Sequence, residues 1–168
     1  MGGNVSLAPF DPNVHTNLLE KWLKRPHVMD AWGDPAANFE DVMTLQPPAG
    51  GALIVVDGEW VGFLQWQPIA ASDLAANGVH VPDDRTIDID IFIGEVEYLG
   101  KGIGSQAIKF LLKRLEERGN ARRATLFTGI ENKRAIRAYE KAGFRLIAQY
   151  MDAEHGWTCV MMADIQTT

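Results

Sequence analysis

The 168-residue chain carries 16 Lys and Arg against 22 Asp and Glu, a formal charge of −6, and is 46% hydrophobic and 23% charged, which is ordinary for a globular protein. That length predicts one domain over residues 1–168, with a core that needs no metal or disulfide staple. It is too short for a (β/α)8 barrel or a full two-halved dinucleotide fold. Cys159 is the single cysteine, so no intrachain disulfide is available and a reducing, cytoplasmic setting is expected. No apolar run approaches the ~20 residues of a membrane span, and MGGNVSLAPF lacks the basic start and apolar stretch of a secretory signal. Met1-Gly2 with Ser6 fits the template for N-myristoylation. Stable anchoring takes a second signal, and no Lys or Arg precedes Lys21, so an ordinary terminus is expected.

Ser6–Pro9 reads as a short first strand. Asp11-Pro12 reads as a helix start, and Val14, Leu18, Leu19, Trp22 and Leu23 recur at helical spacing until Pro26 stops them. Residues 27–48 predict a turn of helix and then a short helix over Phe39–Leu45. Ala52–Val56 and Trp60–Gln67 flank Asp57-Gly58, a strong hairpin signal. Ala70–Arg85 reads as a polar loop, long enough to suggest a part in substrate binding. Thr86–Gly94, TIDIDIFIG, alternates: Ile87, Ile89, Ile91 and Ile93 on one face, Asp88, Asp90, Phe92 and Gly94 on the other. Gly102–Arg118 carries a helical stripe ended by Gly119, and Ala124–Thr128 is a strand. Asn132–Ala142 is a helix with Asn132 as its cap. Phe144–Asp152 and Trp157–Asp164 form a closing antiparallel pair. The order predicts an α/β fold: one mixed sheet of about seven strands covered by about four helices.

Charge is unevenly distributed. Gly100–Arg145 holds 12 Lys and Arg against 4 Asp and Glu, and the remainder holds 4 against 18. The basic segment suits a polyphosphate, and the acidic remainder suits a cationic small molecule. Nucleic acid is disfavoured, because the basic residues fall on predicted helices without interleaved stacking aromatics. The four histidines are scattered, with no H-x-x-x-H or C-x-x-C spacing, so no metal is expected.

The acidic strand leads by a short loop into Gly100-Lys-Gly-Ile-Gly104 and a helix. Glycines let backbone approach a phosphate, and a helix N-terminus adds free N–H groups and partial positive charge. Gly102-Ile-Gly-Ser-Gln-Ala107 also fits the dinucleotide template, but the strand stops about seven residues early and no acidic residue follows ~20 positions on. A nicotinamide or flavin enzyme is therefore disfavoured.

The glycine loop, followed by Asn132-x-x-Ala135-x-x-x-Tyr139-x-Lys141-x-Gly143-Phe144, resembles the Gcn5-related N-acetyltransferases (GNAT) over most of the chain. Trp22-Leu23, Arg25-Pro-His-Val28 and Trp32-Gly33, with Leu99 opening the loop, resemble more narrowly the aminoglycoside 6′-N-acetyltransferases and their siderophore-biosynthesis relatives. In that resistance branch an Asp-Pro commonly follows the strand after the glycine-loop helix, where this chain has Thr128-Gly129.

The resemblance implies the GNAT acyl-CoA N-acyltransferase fold and transfer of acetyl from acetyl-CoA (coenzyme A) to a primary amine of a cationic small molecule. It implies a monomer or homodimer, and with no apolar span no membrane partner is expected. Asp90 is the expected base and Tyr139 the expected acid for the leaving thiolate. Leu99, Gly100, Lys101, Gly102, Ile103, Gly104 and Ser105 are expected to cradle the pyrophosphate. Ile91, Phe92 and Ile93 are expected to offer backbone groups to the pantetheine arm and the oxyanion. Asn132, Ala135 and Tyr139 complete the cofactor set. Trp32, Trp66, Asp88 and Asp90 are the expected acceptor-binding residues. A hydroxylysine or siderophore-type acceptor is the alternative within this chemistry, and a non-catalytic acyl-CoA sensor the alternative outside it.

Overall fold

The computed structural model describes residues 3–166; Met1-Gly2 of the myristoylation template lie outside them. The strands are β1 (Val5–Pro9), β2 (Gly50–Val56), β3 (Glu59–Ile69), β4 (Thr86–Ile93), β5 (Arg123–Gly129), β6 (Arg145–Asp152) and β7 (Gly156–Asp164). The helices are α1 (Thr16–Leu23), α2 (Pro26–Trp32), α3 (Pro35–Met43), α4 (Ala71–Ala76), α5 (Ile103–Arg118) and α6 (Lys133–Lys141). Among the described residues the seven strands run in the order β1-β2-β3-β4-β5-β7-β6. β4 and β5 are parallel, while β1–β2, β5–β7 and β6–β7 are antiparallel. The mixed sheet is therefore as the sequence predicts.

Packing divides the chain into two compact units. The first holds the residues up to Gln65 together with Ile91–Ala107. Its core sets Leu19, Trp22, Leu23, Val28 and Val42 of three helices against Leu53, Phe63 and Phe92 of the strands. Trp22 is fully buried, and its Nε1–H donates to Glu95 Oε1 at 2.8 Å. The β2–β3 hairpin turns at Asp57 (φ 49°) and Gly58 (φ 86°), the pair of left-handed residues that a type I′ turn demands.

The second unit holds Trp66–Asp90 and the chain from Ile108 onward. Leu74 and Val79 pack with Val160 and Met162, and α5 buries Ile108, Leu111 and Leu115. The β4–β5 ladder pairs Thr86 with Arg123, Ile87 with Ala124, and Asp88 with Thr125. Asp83 accepts from both Arg85 and Arg123, tying the segment before β4 to β5.

Four expectations need correction. There are six α-helices among the described residues where about four were expected, because α2 has seven residues and α4 six, too few turns to display a 3.6-residue period. The first helix begins at Thr16, not at Asp11-Pro12. Asp11 instead closes a turn, with its Oδ1 accepting from Asn13 N at 2.9 Å and its carbonyl accepting from Val14 and His15 N. The helix expected over Phe39–Leu45 starts earlier, at Pro35, where Asp34 accepts from Ala37 N at 3.3 Å as an N-cap. The Ala70–Arg85 segment is not all loop: it holds α4, whose first N–H donates to Asp84 Oδ1 at 2.8 Å.

A Cβ at Gly94 would collide with the Trp22 indole. Trp22 has no room to yield, being fully buried and tied to Glu95. Gly94→Ala is expected to lower stability by about 1–3 kcal/mol, as overpacking does, read as a fall in the urea midpoint at unchanged slope.

Candidate active site

Strand β4 carries Asp88 and Asp90 within it and leads on to a glycine turn beyond its C-terminal end. Along it, Ile87 and Ile89 are buried, but Ile91 and Ile93 are only half-buried. Phe92, from the acidic face, is the buried residue there. Its ring meets Trp32 at 4.9 Å and Trp22 at 6.0 Å, both edge-on, in the geometry aromatic pairs favour.

Side chains of the first two helices hold β4 and its exit. Trp32 Nε1–H donates to the Ile91 carbonyl at 3.2 Å. His27 Nε2 lies 2.8 Å from the Ile93 carbonyl. A carbonyl only accepts, so the proton sits on Nε2. Glu95 takes Trp22 Nε1–H and also Arg25 Nη2 at 3.2 Å. The carbonyls of Ile91 and Ile93, expected to serve a pantetheine arm, thus already accept from α2. A carbonyl has a second lone pair, so this does not close them to a ligand. His27 and Glu95 in these roles were not foreseen; the only signal for His27 was its place in the Arg25-Pro-His-Val28 motif.

After a 3-10 turn at Val96–Tyr98 the chain passes Leu99 into the glycine loop. Gly100 and Gly102 stand at φ 72° and 76° with nothing within 4 Å of an added Cβ. They are needed for conformation, and the space beside them is open. Ile103 and Ser105 are buried, while Gly100, Lys101 and Gly102 are exposed. Lys101 Nζ stands 5.6 Å from the Tyr98 ring centre, a cation–π contact. The first intrahelical bond runs from Gln106 N to the Gly102 carbonyl, so the N–H groups of Ile103, Gly104 and Ser105 open the helix. Exposed glycines, a lysine and a helix start of this kind fit an anionic phosphate group.

In the second unit, Asp88, Tyr139 and Thr125 come together. The Thr125 hydroxyl donates to Asp88 Oδ1 at 2.9 Å. Proton affinity at Asp88 is raised well above the ordinary carboxylate range, first by burial and then by repulsion from Asp90. Tyr139 is buried at 8% exposure. Its phenol is pushed above its usual value, first by burial and then by the Asp90 and Asp88 charges. Tyr150 on β6 is raised by burial, Asp152 and Asp88 in that order. Asn132 caps α6 by accepting from Ala135 N at 3.2 Å, so both residues are engaged with each other. Trp66 on β3 has its ring 5.9 Å from the Arg118 guanidinium at the end of α5. Thr125 was missed by sequence reasoning, because the β4–β5 register that sets it opposite Asp88 leaves no trace in either segment.

Comparison with known proteins gives the family and the fold. The acetyltransferase (GNAT) domain family matches residues 11–151. Aminoglycoside N(6′)-acetyltransferase type 1 from Klebsiella pneumoniae is 28% identical over 136 residues, 76% of this chain and 67% of that one. The crystal structure of aminoglycoside acetyltransferase AAC(6′)-Ib with coenzyme A and kanamycin superposes with a TM-score of 0.79 at 24% identity, covering 96% of this chain and 95% of that one. An aminoglycoside N(6′)-acetyltransferase from Legionella pneumophila gives 0.76 at 21%, covering 98% and 94%. At those identities the structural likeness speaks to the fold. The family match spans most of the chain: this chain belongs to the GNAT family and is an N-acetyltransferase.

Proposed function

We propose that the whole chain acts as one acetyl-CoA-dependent N-acetyltransferase domain on a primary amine of a cationic small molecule, of the aminoglycoside 6′-N-acetyltransferase kind. The observation that carries this reading is β4 itself, which bears Asp88 and Asp90 and runs within ten residues of Asp90 into the glycine turn. Acid–base groups and a phosphate cradle are thereby joined along one continuous stretch. The 28%-identical relatives act on aminoglycosides by name, which supports the acceptor class.

Leu99–Ser105 would hold the pyrophosphate, with Lys101 adding charge, and Ile91–Ile93 would bind the pantetheine arm through backbone groups. When bound, acetyl-CoA supplies the activated acetyl thioester. Asp90 receives the acceptor's ammonium and takes its proton, because only the neutral amine can attack and such amines titrate near ~10.4. Main-chain N–H groups near Phe92 and Ile93 are the donors assigned to the developing oxyanion. Tyr139, whose buried phenol keeps its proton, donates to the leaving sulfur. Trp32 and Trp66 are assigned to the acceptor side.

One observation favours a second acceptor class. Thr128-Gly129 stands where the resistance branch commonly places Asp-Pro, so an uncharged threonine takes the place of the aspartate. The loss of that charge suits a hydroxylysine or siderophore-type acceptor.

Thiol release from acetyl-CoA, measured with kanamycin-type aminoglycosides, polyamines and N6-hydroxylysine side by side, tests the reading. Saturable turnover with an aminoglycoside is expected. A response to hydroxylysine alone would move the acceptor class, and coenzyme A binding without turnover in any amine would favour the sensor. Asp90→Asn is expected to lower kcat by ~10²–10⁴-fold, the range for a lost general base. Tyr139→Phe is expected to lower kcat by roughly 10²-fold while the KM for acetyl-CoA holds; a KM effect without a kcat effect would remove Tyr139 from the chemistry.

His27 gives a separate test. His27→Ala frees the Ile93 carbonyl, and the KM for acetyl-CoA is expected to rise ~3–10-fold, about one hydrogen bond's worth. An unchanged KM would leave His27 with packing alone.

A further inference from the structure

Glu95 stands where β4 leaves the sheet, and bonds from four other residues converge on it. Its N–H and that of Gly94 both donate to the Val61 carbonyl on β3, at 3.1 and 2.8 Å. Two residues of one strand thus oppose one of the next, the arrangement of a bulge, which bends the strand that carries it. The Glu95 carbonyl accepts from Tyr98 N at 3.0 Å, closing the 3-10 turn that leads into the glycine loop. Its carboxylate accepts from Trp22 Nε1–H at one oxygen, at 2.8 Å, and from Arg25 Nη2 at the other, at 3.2 Å. Trp22 belongs to α1 and Arg25 is the N-cap of α2. All of these residues lie in the first compact unit.

The contacts leave little choice of side chain. Trp22 is fully buried, so its N–H depends on a protein acceptor. The Arg25 and Glu95 side chains are 28% and 19% exposed, so each charge is partly withdrawn from water and needs its partner. A carboxylate accepts at both oxygens, whereas an amide accepts at one end and donates from the other. Only an acid of this length serves both donors at once. Gly94, next to it, has no room for a Cβ beside the Trp22 indole. Beyond the turn, Lys101 Nζ stands 5.6 Å from the centre of the Tyr98 ring, so the turn closed by Glu95 also carries the ring that holds the ammonium of the loop.

We propose that Glu95 is the positioning residue of the phosphate cradle. Its carboxylate, gripped by Trp22 and Arg25, fixes the direction in which the chain leaves β4, and through Tyr98 the place of Lys101 and the glycine turn. Glu95 acts through the loop and not by contact with the cofactor. The proposal rests on the reading of Leu99–Ser105 as the coenzyme A cradle and names what holds that cradle. A loop fixed beforehand need not be ordered by its ligand, so loosening it costs cofactor affinity and leaves acceptor binding alone.

Titration calorimetry with coenzyme A, without acceptor or turnover, tests this. Glu95→Ala is expected to weaken coenzyme A binding roughly tenfold, what one charge-assisted hydrogen bond is worth. Glu95→Gln, which accepts from one donor only, is expected to fall between Glu95→Ala and wild type, as is Arg25→Gln, which leaves the Trp22 bond in place. Asp83→Asn serves as the control for lost stability. It disrupts the ion pairs of Asp83 with Arg85 and Arg123 in the second unit, and should lower Tm while coenzyme A affinity stays within about twofold. Affinity within twofold of wild type in Glu95→Ala, or an equal loss in Asp83→Asn, would overturn the proposal. Should Glu95→Ala fail to fold, the two milder variants decide, and unchanged affinity in both overturns it.

Kinetics gives the second readout. With an acceptor that turns over, Glu95→Gln should raise the KM for acetyl-CoA while acceptor KM stays within about twofold. A matching rise in acceptor KM would make Glu95 a general support of the fold and sink the proposal. If the variants lose coenzyme A affinity as expected but no amine is acetylated by wild type, the transferase reading fails and the role of Glu95 stands. If wild type binds no coenzyme A, the cradle reading falls and the proposal falls with it.

Discussion

Two carboxyls on one face of β4 cannot both be ionised without cost. At ~7 Å and an effective dielectric of about 20, a pair of like charges repels by roughly 2 kcal/mol, and the loss of water around Asp88 adds to it. Asp88 closes the β4–β5 ladder opposite the buried Thr125, whose hydroxyl donates to it. Asp90 stands two residues beyond the last pair of that ladder. Two aspartates of identical chemistry therefore meet different surroundings.

The same strand needs rigid backbone where side chains do no chemistry. Phe92 and Gly94 continue the acidic face, yet one is buried against Trp22 and Trp32 and the other has no room for a Cβ. Trp32, His27 and the Glu95 pair fasten the strand at residues 91, 93 and 95 in turn. A backbone that is to present N–H groups to a ligand in one orientation gains from such second contacts, because each removes a freedom that binding would otherwise have to freeze. The aromatic residues of α1 and α2 thus stabilise twice, once by burial and once by fixing a strand.

Much of this was legible in the sequence, and the reasons differ by element. The alternation in TIDIDIFIG, the Asp57-Gly58 turn, the glycine loop and the Asn132 cap are written locally, within a few residues of where they act. The fold class followed from them. The helix starts at Pro26 and Pro35 were harder, because a two-turn helix begun by proline shows no period to read. At Asp11 the local signal misled: the aspartate does satisfy backbone donors, but in a turn five residues ahead of the first helical residue. Within the site, Asp90 and Tyr139 were proposed through family resemblance. Thr125 and His27 depend on register and on a side chain crossing 66 positions to a carbonyl, and no local pattern encodes either.

The assigned acid and base also act on each other, which orders the proton movements. Tyr139 is a phenol whose ionisation is opposed by burial and by the charge on Asp90. In the resting site it therefore holds its proton more firmly than a free tyrosine, and far more firmly than a thiol at ~8.5. As a donor it stabilises the leaving sulfur by hydrogen bonding. In the proposed roles, Asp90 would lose its charge on accepting the ammonium's proton, and with it would go part of the opposition to ionising the phenol. Tyr139 would then be a better donor after the amine has been made nucleophilic, when the sulfur begins to carry charge.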